Sequence, residues 1–153
     1  MNTARHVDLT NQRLRQRLQE QVAINELGES LMDWLSDSTV IRSASIDKLS
    51  SRLEMFRLHV ERYFGQELEL TDALLQRGGP TDQIKSARSR TTSQRRSLLK
   101  RLDAVIRDLK SFMPGSEEWH EAVYEFGLIS DAIDLYEDAA DDLVSLVGGQ
   151  QYE

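Results

Sequence analysis

One carboxylate interrupts an apolar seam. Ile46, Leu49, Leu53, Phe56, Val60, Tyr63, Glu67, Leu70 and Leu74 recur at alternating steps of three and four, and each is apolar or aromatic except Glu67. That spacing puts them on one face of a helix. A carboxylate on such a face is costly unless it is neutral, paired or bound to something. Tyr63 stands one turn before Glu67 on the same face, and a second phenol–carboxylate pair, Tyr136 and Asp141, follows near the end of the chain. Phenolate and carboxylate oxygens are hard ligands that could hold ferric iron. The same groups can instead close on one another, each hydroxyl donating to a neighbouring carboxylate while the rings fill the volume. The expectation is this plug, with no cofactor; iron is the alternative.

The elements that would position these residues are four long helices. Leu14, Leu18, Val22, Ile24, Leu27, Leu31, Trp34 and Leu35 give an apolar stripe to a helix over about 10–35. Gly28 weakens it by roughly 1 kcal/mol relative to Ala. The seam of Glu67 predicts a second helix over about 46–76, capped by Ser43 or Ser45 and stopped at Gly78-Gly79-Pro80. A third, over about 82–113, is apolar through Leu98, Leu102, Val105, Leu109 and Phe112 and puts Thr91 and Gln94 at seam positions. A fourth, over about 117–147, starts at Ser116 as N-cap with Glu117 and Glu118 at the positive dipole end. Its seam is Trp119, Ala122, Phe126, Ile129, Ile133, Tyr136, Ala140, Leu143 and Val147, and Gly148-Gly149 is expected to end it. No segment alternates with period two. The fold class expected is all-α, an antiparallel up-down-up-down four-helix bundle forming one domain over 1–153.

Stacking the helices at 1.5 Å per residue brings Tyr63 and Glu67, Thr91 and Gln94, and Tyr136 to Asp141 to a common level, about 25–36 Å from one end. Glu20 to Asn25 of the first helix match less closely.

These residues resemble the hemerythrin-like (HHE cation-binding) family, four-helix bundles with a di-iron site in the lower core. That family carries His-x-x-x-Glu on its second helix and His-x-x-x-x-Asp on its fourth; this chain has Tyr63-x-x-x-Glu67 and Tyr136-x-x-x-x-Asp141. The stretches matching its third-helix ligands, Arg90 to Gln94 or Thr91 to Arg95, hold no His, and the first-helix position falls near Glu20 or Gln21. The resemblance spans the chain in helix order and implies a bundle whose di-iron site is lost. Tyr63, Glu67, Tyr136, Asp141 and Gln94 would be its vestige.

Other chemistry is poorly provided for. Cysteine is absent, which removes disulfides, thiolate nucleophiles and sulfur ligands. His6 is in the N-terminal tail, His59 flanks the seam one turn from Tyr63, and His120 is far from the polar level. Glu117-x-x-His120 has the spacing of a di-iron carboxylate pair but is single and terminal. Gly78-Gly79-Pro80 lacks the lysine and strand of a phosphate loop. The expectation is a non-enzyme.

Charge is unevenly placed. Residues 83–102 hold seven basic residues and no acid, whereas from Glu117 onward there are eleven acids and no Lys or Arg. Antiparallel packing of the third and fourth helices would set Arg88 near Asp141 and Arg95 near Asp134, as exposed pairs worth about 0–1 kcal/mol each. An Arg88 that reached the polar level would also neutralise Asp141. Alternatively Arg88, Arg95 and Arg96 form a stripe for a partner, an acidic protein or nucleic acid. A net charge of −7 opposes general nucleic-acid affinity. No run is long and apolar enough for a membrane span, and the N-terminus lacks a signal core, so a cytoplasmic protein is expected, one that serves as a protein-interaction or structural module.

Overall fold

The computed structural model describes the backbone of residues 2–37, 46–78 and 82–150 and the side chains of 12–37, 46–73, 76, 82 and 85–138. The helices are α1 (Asn2–Ser36), α2 (Ile46–Gly78), α3 (Asp82–Ser111) and α4 (Glu117–Gln150), and they form a four-helix bundle with no strand among the described residues. α1 begins eight residues before the expected start: Asn2 to Leu9 contain neither Gly nor Pro, so nothing in that stretch breaks the helix. α4 continues through Gly148 and Gly149 rather than ending there, because glycine weakens a helix without removing its hydrogen bonds. The expected caps Ser43 and Ser45, and Gly79-Pro80 of the expected breaker, lie outside the described residues.

α3 closes with the Phe112 amide on the Asp108 carbonyl at 2.9 Å, and Gly115 turns the chain at φ 90°. The Ser116 hydroxyl then accepts the Trp119 amide at 3.2 Å, the N-cap expected of it.

Side-chain pairs fix the helix directions. Arg17 meets Tyr63 and Gly28 meets Phe56, so α1 and α2 are antiparallel. Glu54 with Lys110 and Asp72 with Arg88 reverse α3 against α2, and Arg101 with Glu125 reverses α4 against α3. Across the diagonal α2 and α4 run parallel, joining Phe56 to Phe126 and Tyr63 to Tyr136. α1 packs most extensively on α2, and α3 on α4.

The upper half, toward Trp34, Leu49, Leu109 and Trp119, is hydrocarbon. Leu53, Phe56, Leu102, Phe126 and Ile129 are fully buried there, and the rings of Phe56 and Phe126 stand 5.3 Å apart, tilted by 57°. Gly28 belongs to this packing. A Cβ there would lie 3.1 Å from Ser130 Oγ and 3.4 Å from the Phe56 ring, so its absence lets α1 sit close to α2 and α4.

The α1 stripe is rotated from the expected one. Leu18 and Val22 are largely exposed, and the buried face runs Arg17, Ile24, Gly28, Leu31 and Leu35. Arg17, Ile24 and Leu31 are seven residues apart, the repeat that keeps a straight seam in a bundle. Ile46, placed first in the α2 seam, is 70% exposed at the helix end.

Candidate functional site

The lower half of the core carries polar side chains from all four helices. Arg17 of α1, Tyr63 and Glu67 of α2, Thr91 and Arg95 of α3, and Tyr136 and Glu137 of α4 are all buried. The heptad spacing that buries Ile24 and Leu31 buries Arg17, and Arg95 stands seven residues before Leu102 in the same way.

Two guanidiniums serve the two phenols. Arg17 donates to the Tyr63 hydroxyl at 3.2 Å, with its cationic carbon 5.6 Å from the ring centre. Arg95 donates to the Tyr136 hydroxyl at 3.3 Å and to Thr92 Oγ1 at 3.0 Å. Thr91 and Thr92 hydroxyls both donate back to the Arg88 carbonyl at 2.9 Å, which satisfies them within α3. The Tyr136 hydroxyl is also within hydrogen-bonding reach of the Glu67 carboxylate. It accepts from Arg95 and stands near the Glu67 carboxylate, so cation, phenol and anion follow one another in an order of favourable sign.

Burial pushes the Tyr136 pKa well above that of an ordinary phenol; the Glu67 charge raises it further, and Arg95 opposes the rise. Tyr136 is thereby held neutral. The rings pack edge to face, Tyr63 with Tyr136 at 6.5 Å and Phe64 with Tyr136 at 4.9 Å. At the margin of the layer, Gln21 donates to Glu137 at 3.3 Å, and His59 Nδ1 lies 2.8 Å from Glu20.

Tyr63, Glu67 and Tyr136 thus come together at one level as their spacing implied. In place of the expected plug of hydroxyls donating to carboxylates, both hydroxyls accept from guanidiniums, and Glu67 acts on Tyr136 through its charge. Gln94 is exposed and lines a shallow α3–α4 groove with Arg101 and Leu135; Thr91 and Arg95 take the seam because the α3 register continues that of Leu98 and Leu102. The side chain of Asp141 lies outside the described residues, as do those of Leu74, Ala140, Leu143 and Val147. Arg88 is on the α2 side of α3, where it pairs with Asp72; the expected pair with Asp141 falls outside the described side chains. Arg95 turns into the core, so it neither faces Asp134 nor forms part of a surface stripe. Of the three basic residues expected to meet a partner, only Arg96 is exposed and without an ion pair among the described residues. The spacing of seven from Ile24 and from Leu102 was the available signal for Arg17 and Arg95.

The layer does not fit a hemerythrin-type iron pair. Guanidinium is always cationic and only donates, so it cannot ligate a metal and it repels one. Here two guanidiniums donate to the hydroxyls that would have to serve as ligands. Among the described residues, no group of three or more His, Asp or Glu is placed to hold a metal ion. No helix among them is long and apolar enough to cross a membrane. Comparison with protein-family models, curated proteins and solved structures finds no match for this chain.

Proposed function

We propose that the chain is a non-enzymatic, hemerythrin-like interaction module in which an arginine–tyrosine–carboxylate layer closes the level of the lost di-iron site. The core then serves stability and register, and the work is done on the outer faces of the bundle, against a protein partner. The observation that carries this reading is Arg95 donating to the Tyr136 hydroxyl while Glu67 lies within its reach. A buried guanidinium supplies beside Glu67 the positive charge that a metal would supply in the family. Buried polar and ionic groups in bundle cores can serve register.

The alternative, iron held by phenolate and carboxylate, requires Tyr136 to give up its proton against both burial and the charge of Glu67. It also requires Arg17 and Arg95 to leave the layer.

Loading with Fe(II) in air separates the two. The expected result is no stoichiometric iron by elemental analysis, no visible phenolate-to-iron band, and a thermal transition unmoved by chelators. A band that disappears in Tyr63→Phe would overturn the proposal.

A further inference from the structure

The groove between α2 and α3 changes character along its length. In its upper half the walls neutralise one another: Lys110 meets Glu54 at 2.6 Å, and Arg57 pairs with Asp103 and, at 2.9 Å, with Glu61. Its lower half is lined by Leu68, Lys85, Arg88, Ser89, Ser93 and Arg96. Arg88 is held there by Asp72, but Lys85 and Arg96 have no acid partner among the described residues. They stand about 16 Å apart along the helix.

The outer ridge of α4 has the opposite character. Tyr124, Leu128, Asp131, Leu135 and Asp138 follow one another at steps of four, three, four and three, which is a single stripe. Tyr124 and Leu135 are each 70% exposed and Leu128 is 40% exposed, large areas for isolated apolar side chains on a bundle surface. Asp131 lies between Leu128 and Leu135 and Asp138 follows Leu135, both without an ion pair among the described residues, and α4 contains no Lys or Arg. The stripe is about 21 Å long and so spans the basic stretch of the groove.

A helix ridge that is acidic and apolar matches a groove that is basic at its rim and has a leucine among its lining residues. The groove belongs to α2 and α3, and the ridge is on the outside of α4, so one molecule cannot satisfy itself. We infer that the chain self-associates head to tail, the α4 ridge of one copy lying in the lower α2–α3 groove of the next. The contact is heterologous: each copy keeps one free groove and one free ridge, so growth continues until a ring closes or a filament forms. This deepens the reading of the chain as an interaction module by naming a second copy as its partner. Its test is independent of the iron experiment, so either can fail alone.

Light scattering and sedimentation of the full chain decide it. At about 0.05 M salt the mass should rise with concentration from the 17.6 kDa monomer, and about 0.5 M salt should weaken association by about ten-fold or more. Lys85→Ser with Arg96→Ser neutralises the groove, and Asp131→Lys with Asp138→Lys reverses the ridge, so that the two altered surfaces do not attract each other; each double variant alone should remain monomeric. Mixed, they should form a one-to-one dimer and nothing larger, since only one intact groove and one intact ridge remain. Helical circular dichroism checks the fold of each variant, and if one fails to fold, the concentration and salt dependence of the unaltered chain still decides. A wild-type chain that stays monomeric at low salt overturns the inference and leaves the groove to another acidic partner. A closed symmetric dimer of the wild type, or variants that fail to pair on mixing, overturns it equally.

Discussion

The upper and lower halves of the bundle solve the same packing problem with different materials. Above, Phe56, Leu102, Phe126 and Trp119 fill the core with hydrocarbon, and nothing there depends on direction. Below, Arg17, Tyr63, Glu67, Arg95 and Tyr136 occupy equivalent positions, and each depends on a partner from another helix. Hydrophobic burial tolerates small shifts of register. A guanidinium, a phenol and a carboxylate brought together do not, since a one-turn slip would leave buried groups unpaired. The upper half therefore supplies most of the cohesion, and the lower half sets which helix faces which.

The largest effects should distinguish the halves by whether they can be rescued. Phe126→Ala should cost about 3–5 kcal/mol in urea unfolding, as the loss of a buried ring leaves a cavity. Arg95→Met should cost about 3 kcal/mol for a different reason: it removes the cation beside Tyr136 and Glu67 while keeping much of the volume. Adding Glu67→Leu to Arg95→Met should then recover part of the loss, with a coupling of about 1–3 kcal/mol in the double-mutant cycle. Strict additivity of the two changes would show that Arg95 and Glu67 are not one unit, and the contrast between the halves would fail.

The same contrast governs what was legible in the sequence. The dry half was read almost residue for residue, because three-and-four spacing of apolar side chains carries the information: Leu49 to Val60, Leu98 to Leu109 and Trp119 to Ile133 all face inward. In the wet half the pattern pointed to Tyr63, Glu67 and Tyr136, since they interrupt or extend an apolar run. It passed over Arg17 and Arg95, because arginine is ordinarily a surface residue and only its heptad position marks it as inward. Leu18 and Val22 misled for the converse reason. They are apolar but off the seam, so hydrophobicity alone rotated α1 by part of a turn. Arg88 and Arg96 could be placed on α3 but not assigned to a side of it, which needs the register of three helices at once.

A smaller effect sharpens the account of the wet layer through pH. Tyr136 has a pKa raised above the ordinary value of 10.0, chiefly by burial and then by Glu67. Once pH exceeds about 10, the unfolded chain gives up this proton while the folded chain keeps it. The unfolded state then binds fewer protons, so stability falls as pH rises, by at most about 1.4 kcal/mol per pH unit from this group. Tyr136→Phe should cost about 1–2 kcal/mol near neutrality, because Arg95 and Glu67 lose the hydroxyl between them. It should also flatten the alkaline decline. An alkaline slope unchanged in Tyr136→Phe would mean that the phenol is not held in its neutral form by the layer.

The smallest effect concerns charge that no guanidinium meets. Asp134 lines a groove between α1 and α4 with Glu29, Asp33 and Asp131. Its pKa is raised above 3.8 by partial burial first, then by Asp131, Asp138 and Glu29. At neutral pH the group is ionised in both states, and the folded state bears the repulsion. Below 3.8 it is neutral in both, and the penalty is gone. Asp134→Asn should therefore stabilise the monomer at pH 7, and the gain should vanish as pH falls below that value. Asp134 is mostly exposed, so solvent screening keeps the gain on the order of a few tenths of a kcal/mol, and salt shrinks it further. The concentration dependence of the gain carries more information than its size. If the α4 ridge is covered by the basic groove of a second copy, Lys85 and Arg96 offset the field of Asp131 and Asp138, and the gain should shrink as protein concentration rises at low salt. A gain that is independent of concentration would leave that field unmet, and with it the head-to-tail contact.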